Sequence, residues 1–290
     1  MNNYIGFRKP RIRQLFNDIA KNYDRLNHVM SFGIDRSWRR KAVREIVDDS
    51  KPIRVLDVAT GTGDFAIAIA KKVQVGSVIV GIDLSEKMLE VGRVKVLKNK
   101  SLQLVQTDEE CIKMQGKLQD NEPEKLLGER VEGENQVETF QRKESHAHQE
   151  SSETRVNVVL QHGDVEAIDF EDDSFERVSV AFGVRNFEHL ERGLSEMRRV
   201  LRPGGKLVIL ELSYPDNHFI LWCYKLYALH FLPFIGGLIS GHKEAYEYLP
   251  KSILAFPKAD KFVPLLQQVG FSKVTVRKFT FGTCLMYIAE

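Results

Sequence analysis

The stretch RVLDVATGTGDFAIAIA, Arg54–Ala70, constrains the fold of this chain more than any other. A Val- and Leu-rich run ends at Gly61 and Gly63, and an Ala- and Ile-rich run follows at once. Strand, glycine turn and helix in that order make a parallel α/β unit, with the turn at the carboxyl end of the strand. The spacing Gly61-x-Gly63-x-x-Ala66 fits the dinucleotide fingerprint in its variant with a terminal alanine. The turn also has an acid on each side, Asp57 and Asp64.

The strand–helix rhythm continues beyond it. SVIVGIDLS, VNVVLQHGDVE, FERVSVAFGV and KLVILELS read as further strands. Helices are expected at DFAIAIAKKV, at SEKMLEVGRVKVLK with Ser85 as N-cap, and at KFVPLLQQVGF. A further helix, HLERGLSEMRRVL, is expected to stop at Pro203-Gly204-Gly205. The last runs, KVTVRKFTFG and TCLMYIAE, predict an antiparallel hairpin on the sheet edge. The expected class is α/β, a Rossmann-like open sheet that is mostly parallel. Residues 1–50 read as a helical cap, with Leu15, Ile19, Tyr23 and Leu26 on one stripe. Residues 51–290 read as the main domain, interrupted at 107–154. That interruption holds thirteen acids against six Lys/Arg and little to nucleate a core, so disorder is expected. The rest of the chain then carries +9, which mildly favours an anionic membrane surface.

Three scattered cysteines, Cys111, Cys223 and Cys284, suggest a reduced intracellular compartment without a disulfide framework or zinc site. The basic N-terminal residues lack the apolar core of a secretory signal. Phe219–Ile239 is long enough for a membrane span, but Lys225, His230 and Pro233 interrupt it. It reads instead as an apolar lid of a soluble, cytoplasmic protein. No nucleic-acid partner and no metal are expected.

Charge separates the candidate ligands. A dinucleotide brings its phosphates to the helix N-terminus after the turn. Carboxylates at Asp57 and Asp64 would repel them by an amount on the order of kcal/mol. S-adenosylmethionine carries an α-ammonium and a sulfonium, and reverses that sign. Asp57 is expected to help hold the ammonium through the turn or a water. Asp83, twenty positions after Gly63, suits ribose hydroxyls, and Asp164 in HGDVE suits the adenine amino group.

VLDVATGTGD, GIDLSEKML, GDVEAIDFEDDSFE and RRVLRPGGKLVILE resemble the class I methyltransferases. YDRLNHVMSFGIDRSWRRKAV, AFGVRNF and AYEYLPKSILAFP resemble, more narrowly, the C-methyltransferases of ubiquinone and menaquinone biosynthesis. The resemblance implies cofactor contacts at Gly61, Thr62, Gly63, Asp83, Asp164, Val165 and Ala181. It also implies methyl transfer to a ring carbon of a prenylated quinol, a demethylmenaquinol before the benzoquinol precursor of ubiquinone. Such chemistry needs phenolate stabilisation and a route for the ring proton. Arg185 and Asn186 are candidates for the first, Tyr23, Asp24 and Asn27 bring polar groups over the pocket with Asp24 as a base through water, and Tyr246 and Tyr248 are candidates for hydrogen bonds to a quinol oxygen. Arg36, Arg39 and Arg40 are candidates for anionic lipid. Two other readings stay open, a nicotinamide-dependent oxidoreductase on the same turn and a non-catalytic S-adenosylmethionine-binding adaptor.

Overall fold

The computed structural model describes residues 8–48, 50–106, 155–227 and 243–290. The acidic interruption, with His146, His148 and Cys111, lies outside the described residues, as do 228–242 of the apolar stretch. The side chains of Leu26, Cys223 and Tyr246 do too.

One sheet organises the chain. Its strands are β1 (Arg54–Val58), β2 (Val78–Asp83), β3 (Leu102–Val105), β4 (Val156–His162), β5 (Phe175–Ala181), β6 (Leu201–Leu212), β7 (Val274–Phe279) and β8 (Cys284–Ala289). Their spatial order is β3-β4-β2-β1-β5-β6-β8-β7. β1 to β6 run parallel, while β8 lies antiparallel between β6 and β7. The expected hairpin is therefore present, with β7 on the edge. Strand order reverses at β1, which pairs with β2 on one side and β5 on the other. Ligands of open α/β sheets bind at such a switch point.

Two details differ from the sequence expectation. β3 was not expected, because a four-residue edge strand carries too short a pattern to read. The helix α6 (Leu190–Arg199) stops before the Pro-Gly-Gly, and Leu201 already pairs with Phe175. Pro203-Gly204-Gly205 instead lies inside β6, where the register to β5 jumps from Phe175↔Leu201 to Arg177↔Lys206. Three extra residues on β6 are absorbed there, and Gly204 supplies a φ of +72°.

The strands are apolar on both faces because helices cover both. On one face Leu56, Val80 and Val178 pack with Leu194 and Met197 of α6 and with Phe262 and Leu266 of α9 (Ala259–Gln268). On the other, Val55, Ile79 and Val158 meet α3 (Asp35–Ile46), α4 (Asp64–Ala70) and α5 (Glu86–Leu97). The expected leading cap thus divides. Trp38, Ala42, Val43 and Ile46 of α3 belong to the sheet layer. Only α1 (Lys9–Ile19) and α2 (Tyr23–Met30), separated by a 3₁₀ turn, lie over the site. Leu15, Ile19 and Tyr23 of the expected stripe pack together on Met88 of α5.

Ser85 caps α5 as expected, its Oγ accepting from the Met88 N–H at 3.3 Å. The same hydroxyl donates to Asn17 Oδ1 at 2.7 Å and so ties α1 to α5. Ser85→Ala loses both bonds. Its expected cost is about 1 kcal/mol, read as a lower midpoint in chemical denaturation; an unchanged midpoint would show that neither bond matters.

Two more helices complete the described chain, α7 (His218–Leu226) and α8 (Lys243–Ala255). Among the described residues, no helix is long and apolar enough to cross a membrane.

Candidate functional site

The carboxyl ends of β4, β2, β1 and β5 meet under α1 and α2. A cleft of about 730 Å3 opens there, lined by Gly61, Asp83, Val165, Ala181, Asn186 and Tyr23. Gly61 and Gly63 have φ of +57° and +74°, which only glycine adopts without strain. A Cβ built on Gly61 would meet nothing within 4 Å, so the turn leaves open space on the cleft side for a ligand to approach the backbone. The residues just past β1 and β5, Ala59 and Phe182, also have positive φ, +50° and +62°. Such strain in non-glycine residues concentrates at functional sites. Gly183 permits their approach, since a Cβ there would stand 2.7 Å from the Ala59 Cβ.

A second cleft of about 1000 Å3 lies beside the first and is mostly apolar. Trp38, Phe182, Tyr224 and Ile253 form part of its wall, with Arg39 and Arg185 as its cations. Tyr23 and Phe182 line both clefts. The two clefts therefore adjoin at a tyrosine and a phenylalanine.

Asp83 lines the first cleft, and it also builds the turn. Its Oδ2 accepts from the Gly61 N–H and its Oδ1 from the Ser85 N–H, both at 2.8 Å. Burial raises the Asp83 carboxyl above its ordinary value, against the pull of these two N–H groups.

Several of the expected side chains already have partners within the fold. Asp57 is 1% exposed, and its carboxylate accepts from Ser179 Oγ at 2.6 Å and Thr60 Oγ1 at 2.7 Å. Burial pushes it up to about 6, against the pull of these two hydroxyls. Asp64 is paired with Lys95 at 2.5 Å and Arg39 at 3.4 Å. Asp64 is thus compensated by two cations while Asp57 has neutral donors, and the charge argument against a pyrophosphate weakens. Asp24 lines neither of the two large clefts. It pairs with Lys95 at 2.6 Å and accepts from Thr62 Oγ1 at 2.5 Å. That carboxylate fastens α2 to the glycine turn and is poorly placed as a base. Thr62 is buried, and its hydroxyl serves this tie. Asp164 bonds Lys9 Nζ at 2.6 Å and the Glu166 N–H at 2.9 Å, while its neighbours Gly163 and Val165 line the cleft.

Lys9 carried no sequence signal, yet it latches α1 across the first cleft. Its ammonium reaches Asp164 and Glu166, and its N–H donates to Glu188 at 3.0 Å. Burial lowers the Lys9 ammonium's pKa, but the two carboxylates more than offset this and leave it raised.

Arg185 lies in the second cleft, 4% exposed. It pairs with Glu211 at 2.7 Å, donates to the Phe182 carbonyl, and reaches Ser252 at 3.3 Å. Burial pulls its guanidinium down, but Glu211, Tyr248 and Tyr23 leave it above the ordinary value. Tyr248 donates to Asn186 Oδ1 at 2.6 Å, and burial pushes its phenol up to about 12. Burial also raises Tyr23, whose oxygen feels both Arg185 and Arg39. Both tyrosines stay neutral donors at physiological pH. Arg39, a candidate for anionic lipid, is only 11% exposed in its side chain and lies over the Phe182 ring at 5.4 Å. Arg36 and Arg40 are exposed.

The model of the ubiE/COQ5 methyltransferase family matches residues 5–121 and 134–290. The chain belongs to the ubiE/COQ5 methyltransferase family. It is 38% identical to a demethylmenaquinone methyltransferase of Bacteroides fragilis over 284 residues, 98% of this chain and 94% of that one. It is 39% identical to the ubiquinone/menaquinone biosynthesis C-methyltransferase UbiE of Geobacter sulfurreducens over 280 residues, 97% and 88% of the two chains. In fold it is similar to an S-adenosylmethionine-dependent methyltransferase of Thermotoga maritima, with a TM-score of 0.53, 15% identity, and 96% and 98% coverage. Family membership sets aside the nicotinamide-dependent alternative.

Proposed function

We propose that this chain transfers a methyl group from S-adenosylmethionine to a ring carbon of a prenylated quinol, with demethylmenaquinol as the preferred acceptor. The observation that carries this reading is the pair of clefts sharing Tyr23 and Phe182. The first cleft suits the donor. It has open space at Gly61, a carboxylate at Asp83 and backbone at Val165 and Ala181. When bound, S-adenosylmethionine supplies an electrophilic methyl on a sulfonium. The apolar one suits an aromatic ring and the start of its tail.

The chain's residues then have definite tasks. Arg185 places positive charge where a quinol hydroxyl turns to phenolate, which raises electron density at the adjacent ring carbon. Tyr23 holds the boundary between donor and acceptor. Asn186 and Tyr248 fix one another at the end of β5. The walls exclude water, so the two reactants meet in one orientation. The test is transfer of radiolabelled methyl into reduced demethylmenaquinol and, separately, into the reduced demethylated ubiquinone precursor. Label is expected in the first before the second; folded enzyme that labels neither would end this reading. A non-catalytic adaptor would bind the donor and also label neither.

The acceptor enters from a membrane surface. Phe32, Ile34, Tyr224 and Tyr227 belong to the second cleft, and Phe32 is 75% exposed. Phe219 and Trp222 of α7 stack on one another at 6.3 Å and are also exposed. Phe32 and Tyr227 are 6.0 Å apart, which brings the cleft rim beside the C-terminal end of α7. Exposed aromatic groups beside an apolar cleft match an interfacial contact that admits a prenyl chain. A Phe219→Asp/Trp222→Asp variant is expected to lose sedimentation with anionic vesicles while methylating a short-chain, soluble quinol normally. Full vesicle binding by that variant would remove the membrane role.

A further inference from the structure

We infer that Arg39 anchors the carboxylate at the amino-acid end of the donor, an assignment that rests on the donor reading above. A smaller cleft of about 340 Å3 adjoins the glycine turn. It shares Tyr23, Ala59, Gly61 and Ala181 with the donor cleft, so the two adjoin. Its charged lining residues are Asp57, Asp64 and Arg39. An α-amino acid carries an ammonium and a carboxylate on one carbon. Asp64 is already paired with cations, so Asp57, whose partners are neutral hydroxyls, is the acid left for the first, and Arg39 is the cation on the wall for the second.

The hydrogen bonds of Arg39 sharpen the point. Its ion pairs, with Asp35 at 2.7 Å and Asp64 at 3.4 Å, both use Nη1. Its Nε is buried and has no hydrogen-bond partner among the described residues. A buried N–H without a partner is uncommon in folded proteins and calls for an explanation. Nε and Nη2 form the side-on fork of a guanidinium, the edge that takes a carboxylate with two parallel bonds. Asp35 and the Phe182 ring already hold the guanidinium in place, so the fork is oriented before a ligand arrives. Arg39 also lines the acceptor cleft, but that cleft has Arg185 for a phenolate. The small cleft has no second cation among its described lining residues.

The experiment compares equilibrium binding of three nucleosides to wild-type, Arg39→Ala and Arg39→Lys chains. S-adenosylmethionine has the carboxylate, decarboxylated S-adenosylmethionine lacks only that group, and methylthioadenosine lacks the whole amino-acid end. Arg39→Ala is expected to weaken S-adenosylmethionine by about tenfold or more, the usual scale of a lost bidentate charge pair. Decarboxylated S-adenosylmethionine and methylthioadenosine should change by less than about threefold, which also shows that the variant is folded. Arg39→Lys keeps the charge but not the fork, and should fall between. Equal losses for all three nucleosides, or full affinity of Arg39→Ala for S-adenosylmethionine, would overturn the assignment. A loss confined to quinol binding would overturn it too and move Arg39 to the acceptor. Failure of the wild-type chain to bind any of the three would overturn the donor reading, and this assignment with it.

Discussion

Arg185→Ala is expected to cost about 3–5 kcal/mol of folding stability, the scale of a buried ion pair broken from one side. Glu211 is 1% exposed and its Oε1 lies 2.7 Å from the guanidinium. Without Arg185 that carboxylate stays in the interior and loses its cation. The Phe182 carbonyl and the Ser252 hydroxyl lose a donor in the same step. Arg185→Ala/Glu211→Ala removes both charges and should be more stable than the sum of the two single variants, because no unpaired charge is left. Urea denaturation of the four chains measures this. A strictly additive double variant would mean that the pair is solvated in solution. Activity separates the structural role from the chemical one. The double variant should regain much of the fold and none of the methyl transfer, since the acceptor cleft has lost the guanidinium that favours phenolate.

Asp57→Asn is expected to make the protein less sensitive to rising pH. The folded Asp57 is pushed up to about 6 by burial, against the Ser179 and Thr60 hydroxyls, whereas an unfolded aspartate titrates near 3.9. The native state therefore keeps a proton that the unfolded chain releases. This residue's contribution to stability is complete below the unfolded value and is lost as pH rises through about 6. A gap of about two pKa units corresponds to roughly 3 kcal/mol between the two ends of that window. Asparagine is neutral throughout and has no such loss. Denaturation of both chains at pH 4.5 and 7.5 isolates the effect, because the other titrating groups cancel in the difference. The asparagine variant should gain on the wild type by about 2 kcal/mol or more between those values. A difference that does not change with pH would show that Asp57 is ionised in the fold at both.

The strand–helix rhythm was legible because a parallel sheet buries both faces. VLDV, VIVGID and VVL are continuous apolar runs with acids or glycines only near their carboxyl ends. Those ends were also where the sheet placed Asp83, Ala181 and the glycine turn. The short edge strand β3 and the Pro-Gly-Gly inside β6 were not legible. Both depend on a neighbour, β4 in one case and the register of β5 in the other. Arg39 could have been found. It stands three, four and seven positions before Ala42, Val43 and Ile46, on the buried stripe of α3. A charge on an apolar stripe is a sequence sign of a partly buried group, whereas WRRK taken alone reads as a basic surface run. Glu211 is similar, an acid at the end of the apolar run VILE.

By itself the sequence determined the fold, the site edge and the family, because periodicity, turn residues and motifs are local patterns along the chain. Only the tertiary structure decided what each charge does. Asp24, Asp64 and Lys95 are far apart in sequence, and Lys9 and Asp164 farther still, yet each group's partner settles whether it binds, fastens or latches. The glycine turn marks where a ligand sits. The burial of Asp57 and the pairing of Arg185 with Glu211 set the charge of the groups around it, and those depend on side chains that meet only in the folded molecule.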